Sequence, residues 1–444
     1  MSDWADWNPM TFAKLMGFPA RAAKALAGSS TRGSQHVTSL CLSLLSERGE
    51  ISGVRLAADT LLAYQTLDTP SRHAFFDILA DEFGPDPEQV GRRGDAYRAD
   101  PSPAHLTALQ RAVESPRQEL FRRLNLAPAG TRALVDLRQD LLREMPNHPE
   151  WSAVEGDLGH LLTSWFNRGF LTLQRIDWNT SANILEKLIQ FEAVHAIQGW
   201  QDLHRRLQAD RGCFAFFHPA LPGAPIIFIE VALTRGMSAR IQPLLNPDSP
   251  VSDPRAADCA IFYSITNCQE GLRGVPFGSF LIKKVVEDLS AEFPRLKQFA
   301  TLSPLSGFRS WLNQQAYQHE EIAALVARMD QPEWWSDQAA ASEINQVLEP
   351  LCAYYLKCVK QGKEPLDSVA RFHLRNGARL ERINLLADSS VTGIQRSAGL
   401  MVNYLYRLAD VERNHELYTQ EYTVISSHHI GWLAKNCVLA GKLS

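Results

Sequence analysis

The sequence has no C-x-x-C pair. Its seven cysteines, Cys41, Cys213, Cys259, Cys268, Cys352, Cys358 and Cys437, are odd in number and scattered over 444 residues. That argues against a disulfide framework and a thiolate zinc site, and fits a reducing, cytoplasmic setting. Long apolar runs are missing too. The longest, around Ala224 to Leu233, contains Glu230 and falls far short of the ~20 residues that span a bilayer, so no membrane partner is expected. Nor does either charge dominate: 45 Lys and Arg against 49 Asp and Glu give a net charge of −4. There is thus no electrostatic footprint for nucleic acid or anionic lipid, and an anionic ligand must be met by a local site. The opening Met-Ser-Asp-Trp-Ala-Asp has acids where a presequence would be basic, so no cleaved signal is expected. The closing Lys442-Leu443-Ser444 misses the peroxisomal Ser-Lys-Leu. No internal repeat or low-complexity segment is present, which sets solenoids aside.

What the chain does have is an ordinary globular composition, 45% apolar and 21% charged, at a length that suggests two or three domains. From His36 to Phe170 the signals are helical. Val37, Leu40, Cys41, Leu44 and Leu45 follow an amphipathic stripe, with Gly49 placed as a stop. Ser102-Pro103 and Ser115-Pro116 each set a capping residue before a first-turn proline, and Leu134, Leu137, Leu141 and Leu142 line one face of a further helix. The expectation is an all-helical domain over 1–170, a packing or oligomerisation module with no cluster that suggests chemistry.

After Gly169 the texture changes. Phe170 to Ile176, Cys213 to Phe217, Pro225 to Ala232 and Ala260 to Thr266 are short Phe-, Ile- and Val-rich runs that read as strands. Phe280 to Phe293 reads as an amphipathic helix ended by Pro294, and Phe299 to Leu302 as another strand. The overall class is α + α/β, with a mixed α/β domain over 171–444 that should carry the chemistry.

Within it, the order strand, loop, helix puts Gly271, Gly274 and Gly278 at a helix N-terminus, where unpaired N–H groups and the helix dipole attract anions. Arg273 could add a bidentate contact. The glycines could equally serve only to turn the chain. The run Arg273-Gly274-Val275-Pro276-Phe277-Gly278-Ser279 resembles the loop with which the GNAT acyltransferase superfamily holds the pyrophosphate of coenzyme A. Pro276 stands where that loop's first glycine is expected and removes one N–H. Ser303 follows the strand Phe299–Leu302, at the strand end where ligands gather in open α/β sheets, although Ser before Pro is also a common turn. His373 is flanked by Phe372 and Leu374, which suits a packed imidazole as well as a catalytic one. His428-His429, His195 and His204 show no ligand spacing, so no metal is assigned.

Taken together these segments resemble malonyl-CoA decarboxylase. The likeness is carried by Phe216-Phe217-His218-Pro219 through Pro222-Gly223, Val231-Ala232-Leu233-Thr234, Phe262-Tyr263-Ser264-Ile265, and Gly271-Leu272-Arg273-Gly274-Val275 with Gly278 and Phe280-Leu281-Ile282-Lys283. It continues through Leu302-Ser303-Pro304 with Gly307-Phe308, Phe372-His373-Leu374, Asn376-Gly377-Ala378, Arg382-Ile383-Asn384, Ala387-Asp388, and Gly399-Leu400-Met401 with Asn403-Tyr404. The resemblance implies a GNAT-like catalytic domain and the conversion of malonyl-CoA and a proton to acetyl-CoA and carbon dioxide. It implies Ser303 and His373 as catalytic residues, Arg273 to Ser279 as the coenzyme A loop, and a homo-oligomer to which the helical domain contributes.

The chemistry fits a sparse site. Loss of carbon dioxide leaves an enolate on the thioester, so the substrate is its own electron sink and no metal or prosthetic group is expected. Ser303 would hold the leaving carboxylate and His373 would protonate the carbon, with a backbone N–H near the loop meeting the enolate oxygen. Asn376 and Tyr406 are weaker candidates for supporting groups, each also readable as a turn or core residue. The alternatives are an acyltransferase on the same fold, which needs an acceptor groove and a base, and a non-catalytic acyl-CoA-binding protein.

Overall fold

The computed structural model describes residues 31–47, 49–275, 277 and 281–440. They form two compact units. The first runs to Phe170 and also takes in His218–Pro222 and Gln269–Pro276; the second comprises Leu171–Phe217, Gly223–Cys268 and the chain from Phe277 onward.

The first unit is helical: α1 (Arg32–Ser46), α2 (Glu50–Gln65), α3 (Thr69–Asp81), α4 (Pro87–Ala99), α5 (Pro103–Val113), α6 (Pro116–Asn125), α7 (Gly130–Glu144) and α8 (Ser152–Trp165). The serine–proline signals begin α5 and α6, where Ser102 and Ser115 accept the N–H groups of His105 and Gln118. Gly49 plays a different part from the stop expected of it. Helix α1 ends at Ser46 with Glu47 as its C-cap, and Gly49 is the N-cap of α2. Phe75, Phe76, Phe121, Leu134, Leu137, Leu141 and Trp151 form the buried interior, while Leu142 is only half-buried.

The two later segments that join this unit lay inside the range 171–444 expected for the second domain. Close packing accounts for the difference. A side chain on Gly271 would sit 1.9 Å from the Val135 carbonyl oxygen of α7, so only glycine permits this approach. The buried Arg138 guanidinium then donates to the carbonyls of Gly271 (2.7 Å) and Arg273 (2.9 Å) and pairs with Glu155. Arg132 and Arg143 reach Gln269 and Glu270 from the same helix.

The second unit is built on a mixed sheet: β1 (Thr172–Ile176), β2 (Arg211–Phe217), β3 (Pro225–Thr234), β4 (Cys259–Asn267), β5 (Gln298–Thr301), β6 (Ser303–Pro304), β9 (Arg379–Asn384) and β10 (Met401–Tyr406), with β7 (Lys360–Gln361) and β8 (Glu364–Pro365) as a separate hairpin. The spatial order is β1-β2-β3-β4-β5-β10-β6, and β9 pairs with β10. All the sheet pairs are antiparallel except β4 with β5. That parallel pair is joined through the glycine-bearing loop and the helix Leu281–Glu292, the strand–loop–helix order read from the sequence. Strands β2 and β3 are buried nearly end to end, which explains their continuous rather than alternating apolar sequences.

At the carboxyl end of β5 the chain parts from β4 but keeps β10, with which Phe299 and Ala300 already pair through Tyr406 and Leu405. Phe262 of β4 is opposite Thr301, and the Leu302 N–H still bonds the Phe262 carbonyl at 2.9 Å. Ser303 then pairs with Val402 of β10 in the register that β5 began. The parting leaves β4 running on to Asn267 beyond its last pairing with β5.

Candidate active site

Side chains alternate faces along a strand, so Thr301 and Ser303 share one face of the β5–β6 segment and Tyr404 and Tyr406 share one face of β10. The helix Ser368–Arg375 lies over both pairs. It begins at Asp367, whose carboxylate accepts the Ala370 N–H at 2.7 Å, and its strongly one-sided pattern buries Ala370, His373 and Leu374. Asn376 and Gly377 end it. The Asn376 amide donates to the Phe372 carbonyl at 2.7 Å, and Gly377 turns the chain with φ of +80° into β9.

The structure therefore brings together two residues that lie 70 positions apart: Ser303 Oγ is 3.1 Å from His373 Nε2. On its other side His373 Nδ1 is 2.8 Å from the Tyr406 hydroxyl. The imidazole stacks on the Tyr404 ring, centroid to centroid 4.6 Å with planes 26° apart. Ser303 donates its hydroxyl hydrogen to Thr301 Oγ1 at 2.9 Å. All five side chains are buried, Ser303 being 6% and His373 3% exposed, so their hydrogen bonds compete with almost no water.

Burial sets the protonation states. With only desolvation acting, His373 is pushed down to about 3 and is neutral at any ordinary pH. The same cause pushes the Tyr404 and Tyr406 hydroxyls well above the usual tyrosine range, so Tyr406 keeps its proton. Behind the site the Asn403 amide donates to the Thr301 carbonyl at 2.6 Å, while its oxygen accepts from Arg382 and Asn384. This ties β9, β10 and β5 together at the reactive residues.

Of the supporting candidates, Tyr406 touches the imidazole. Asn376 bonds the backbone of the helix rather than the ring. Thr301 and Tyr404 were missed by sequence reasoning. The signals that could have found them are the Thr-x-Ser and Tyr-x-Tyr alternations, which put each pair on one strand face. In the loop, Arg273 is exposed and Val275 and Phe277 are buried, while Gly274 takes φ of +84°. Pro276, Gly278 and Ser279 lie outside the described residues. Among the described residues no three His, Cys, Asp or Glu side chains are grouped to hold a metal ion.

Both units are matched by models of one class of enzyme, the carboxy-lyases that release carbon dioxide from an acyl-CoA. The malonyl-CoA decarboxylase N-terminal domain model matches residues 83–166 and the C-terminal domain model residues 169–439. The chain belongs to the malonyl-CoA decarboxylase family. It is 36% identical over 341 residues to the mitochondrial malonyl-CoA decarboxylase of Mus musculus, covering 70% of this chain and 69% of that one. To the mitochondrial enzyme of Anser anser anser it is 34% identical, covering 82% and 80%. The crystal structure of malonyl-CoA decarboxylase from Rhodopseudomonas palustris superimposes with a TM-score of 0.86 at 46% identity, covering 89% of this chain and 98% of that one.

Proposed function

We propose that this protein decarboxylates malonyl-CoA to acetyl-CoA and carbon dioxide with Ser303 and His373 as its catalytic residues and with no metal or prosthetic group. The observation that carries the reading is the buried 3.1 Å contact between Ser303 Oγ and His373 Nε2 at a strand end, on a chain whose relatives are named for this reaction. The Ser303 hydroxyl meets the carboxylate. The carbon–carbon bond breaks, its electron pair enters the thioester carbonyl, and the resulting enolate is protonated at carbon from His373 Nε2.

A neutral imidazole suits this step. A cation beside the carboxylate would stabilise the compact ground-state charge more than the dispersed charge of the transition state. Neutral imidazole N–H groups also serve as electrophiles in other sites whose surroundings lower the imidazole pKa. No Arg or Lys lies within two residues of Ser303. The loop Arg273–Ser279 holds the coenzyme A pyrophosphate in this reading, supported by its place before the helix Leu281–Glu292. A homo-oligomer assembled through the helical unit and a cytoplasmic location complete it. The latter is supported by seven unpaired cysteines, and the animal relatives are named mitochondrial. No helix among the described residues is long and apolar enough to cross a membrane.

The test is mass spectrometry of the purified protein with malonyl-CoA and no acceptor, alongside Ser303→Ala and His373→Ala. Wild type should form acetyl-CoA and carbon dioxide, and each variant should be slower by about 100-fold or more. Malonyl-CoA that is bound but unchanged would reject the decarboxylase reading and call for a screen of acyl acceptors.

A further inference from the structure

Thr301, fully buried at the end of β5, uses every hydrogen-bonding capacity of its hydroxyl. It accepts the Ser303 O–H at 2.9 Å and the Tyr404 N–H at 3.1 Å, and its own hydrogen goes to the Val402 carbonyl at 3.5 Å. A hydroxyl has one hydrogen and two lone pairs, so Thr301 has nothing left to donate to Ser303. Ser303 must give its hydrogen to Thr301 and can offer His373 only a lone pair. The hydrogen between them then sits on Nε2, and the neutral ring accepts the Tyr406 O–H at Nδ1. The opposite polarity would point Nδ1–H at Tyr406. The buried Tyr406 hydrogen would then have no acceptor among the described residues, a costly state for a buried hydroxyl.

We propose that Thr301 is a positioning residue for decarboxylation, fixing the direction of a hydrogen-bond chain from Tyr406 through His373 and Ser303 to Thr301 and the Val402 carbonyl. Its effect is to hold His373 as the Nε2–H tautomer before substrate arrives. In the free protein Thr301 is the acceptor whose place the substrate carboxylate takes when Ser303 turns its hydrogen outward. The proton destined for the enolate carbon is therefore already on the nitrogen that faces Ser303. When it is transferred, the ring is left with the Nε2 electron pair, supported by the Tyr406 hydrogen bond at Nδ1. Solvent then returns one proton, the one the overall reaction consumes.

This inference rests on the reading of His373 as proton donor, and the experiment separates the two. Proton–nitrogen multiple-bond NMR on the full chain, labelled with 15N-histidine, reads the tautomer; His373 is assigned by its loss in His373→Gln. Wild type should show Nε2–H. Thr301→Val, nearly the same size, should shift the ring toward Nδ1–H and lower kcat for malonyl-CoA by about 10- to 100-fold with a smaller change in KM. Thr301→Ser, which keeps the hydroxyl, should retain both tautomer and rate. If Thr301→Val does not fold, the wild-type tautomer and the Thr301→Ser rate decide. A wild type that decarboxylates with Nδ1–H, or a folded Thr301→Val unchanged in tautomer and kcat, overturns the role of Thr301. A wild type with Nε2–H that yields no acetyl-CoA overturns the decarboxylase reading, and the catalytic meaning of Thr301 falls with it.

Discussion

His373 is neutral in the native protein at a pH where the same imidazole in the unfolded chain carries a proton, and this couples the site to acid stability. Its native pKa is about 3 against an ordinary value of 6.5. Between those values the unfolded state binds more protons, so stability is complete above about pH 6.5 and is lost as pH falls toward 3. The contribution is at most about 1.4 kcal/mol per pH unit. Denaturant unfolding of His373→Gln from pH 4 to 7 should show a shallower loss on the acid side than wild type. Some slope should remain, because His195, pushed down to about 4 by burial, acts in the same direction. For the same reason the rate of malonyl-CoA turnover by wild type should show no inflection near pH 6.5. Tyr406→Phe removes the donor to Nδ1 and leaves that nitrogen buried without a partner. We expect kcat to fall by about 10-fold while the circular dichroism spectrum stays that of wild type.

Elements position these residues by how they begin and end. The helix that carries His373 stops at an Asn-Gly turn. A β-carbon on Gly377 would lie 2.2 Å from the Val411 carbonyl oxygen, on a backbone with φ of +80°. Gly377→Ala should therefore lower the melting temperature and move the helix end, reducing kcat more than a surface Gly→Ala change would. Helix α7 has a matching role toward the loop. Arg138→Met would strip donors from the Gly271 and Arg273 carbonyls and leave Glu155 without its partner, at a cost of about 2–4 kcal/mol. Because the damage falls at the base of the loop, KM for malonyl-CoA should rise more than kcat falls, as steady-state kinetics would show.

For the whole molecule, the helical domain reads from sequence as a bland packing module, yet its unit includes Gln269–Pro276, which takes in the start of the candidate coenzyme A loop. The buried Arg138 is what holds that stretch. A chain beginning at residue 171 should therefore lose malonyl-CoA binding even if its sheet forms, and titration calorimetry against the full-length protein would reveal it. Binding equal to that of the full chain would show that the loop keeps its shape without α7.

Local chemistry was enough for much of this protein. Apolar periodicity marked the helices before Phe170 and the strands after it, serine–proline pairs marked two helix starts, and the glycines after β4 marked a loop before a helix, because each signal acts over a few residues. Ser303 and His373 took their catalytic roles from the resemblance, with Tyr406 a weaker candidate, because their local settings suit a turn, a packed imidazole and a core tyrosine equally well. Gly49 was misread, since a glycine after an apolar stripe can close one helix or cap the next, and only the path of the chain distinguishes them. What the tertiary structure alone decided is the convergence: the pairing of the β5–β6 segment along β10, and the helix that lays His373 across Thr301, Ser303, Tyr404 and Tyr406. Its physical basis is long-range. The low pKa of His373 comes from water being excluded where segments about 70 and 100 residues apart meet, and no local pattern encodes which of them will meet.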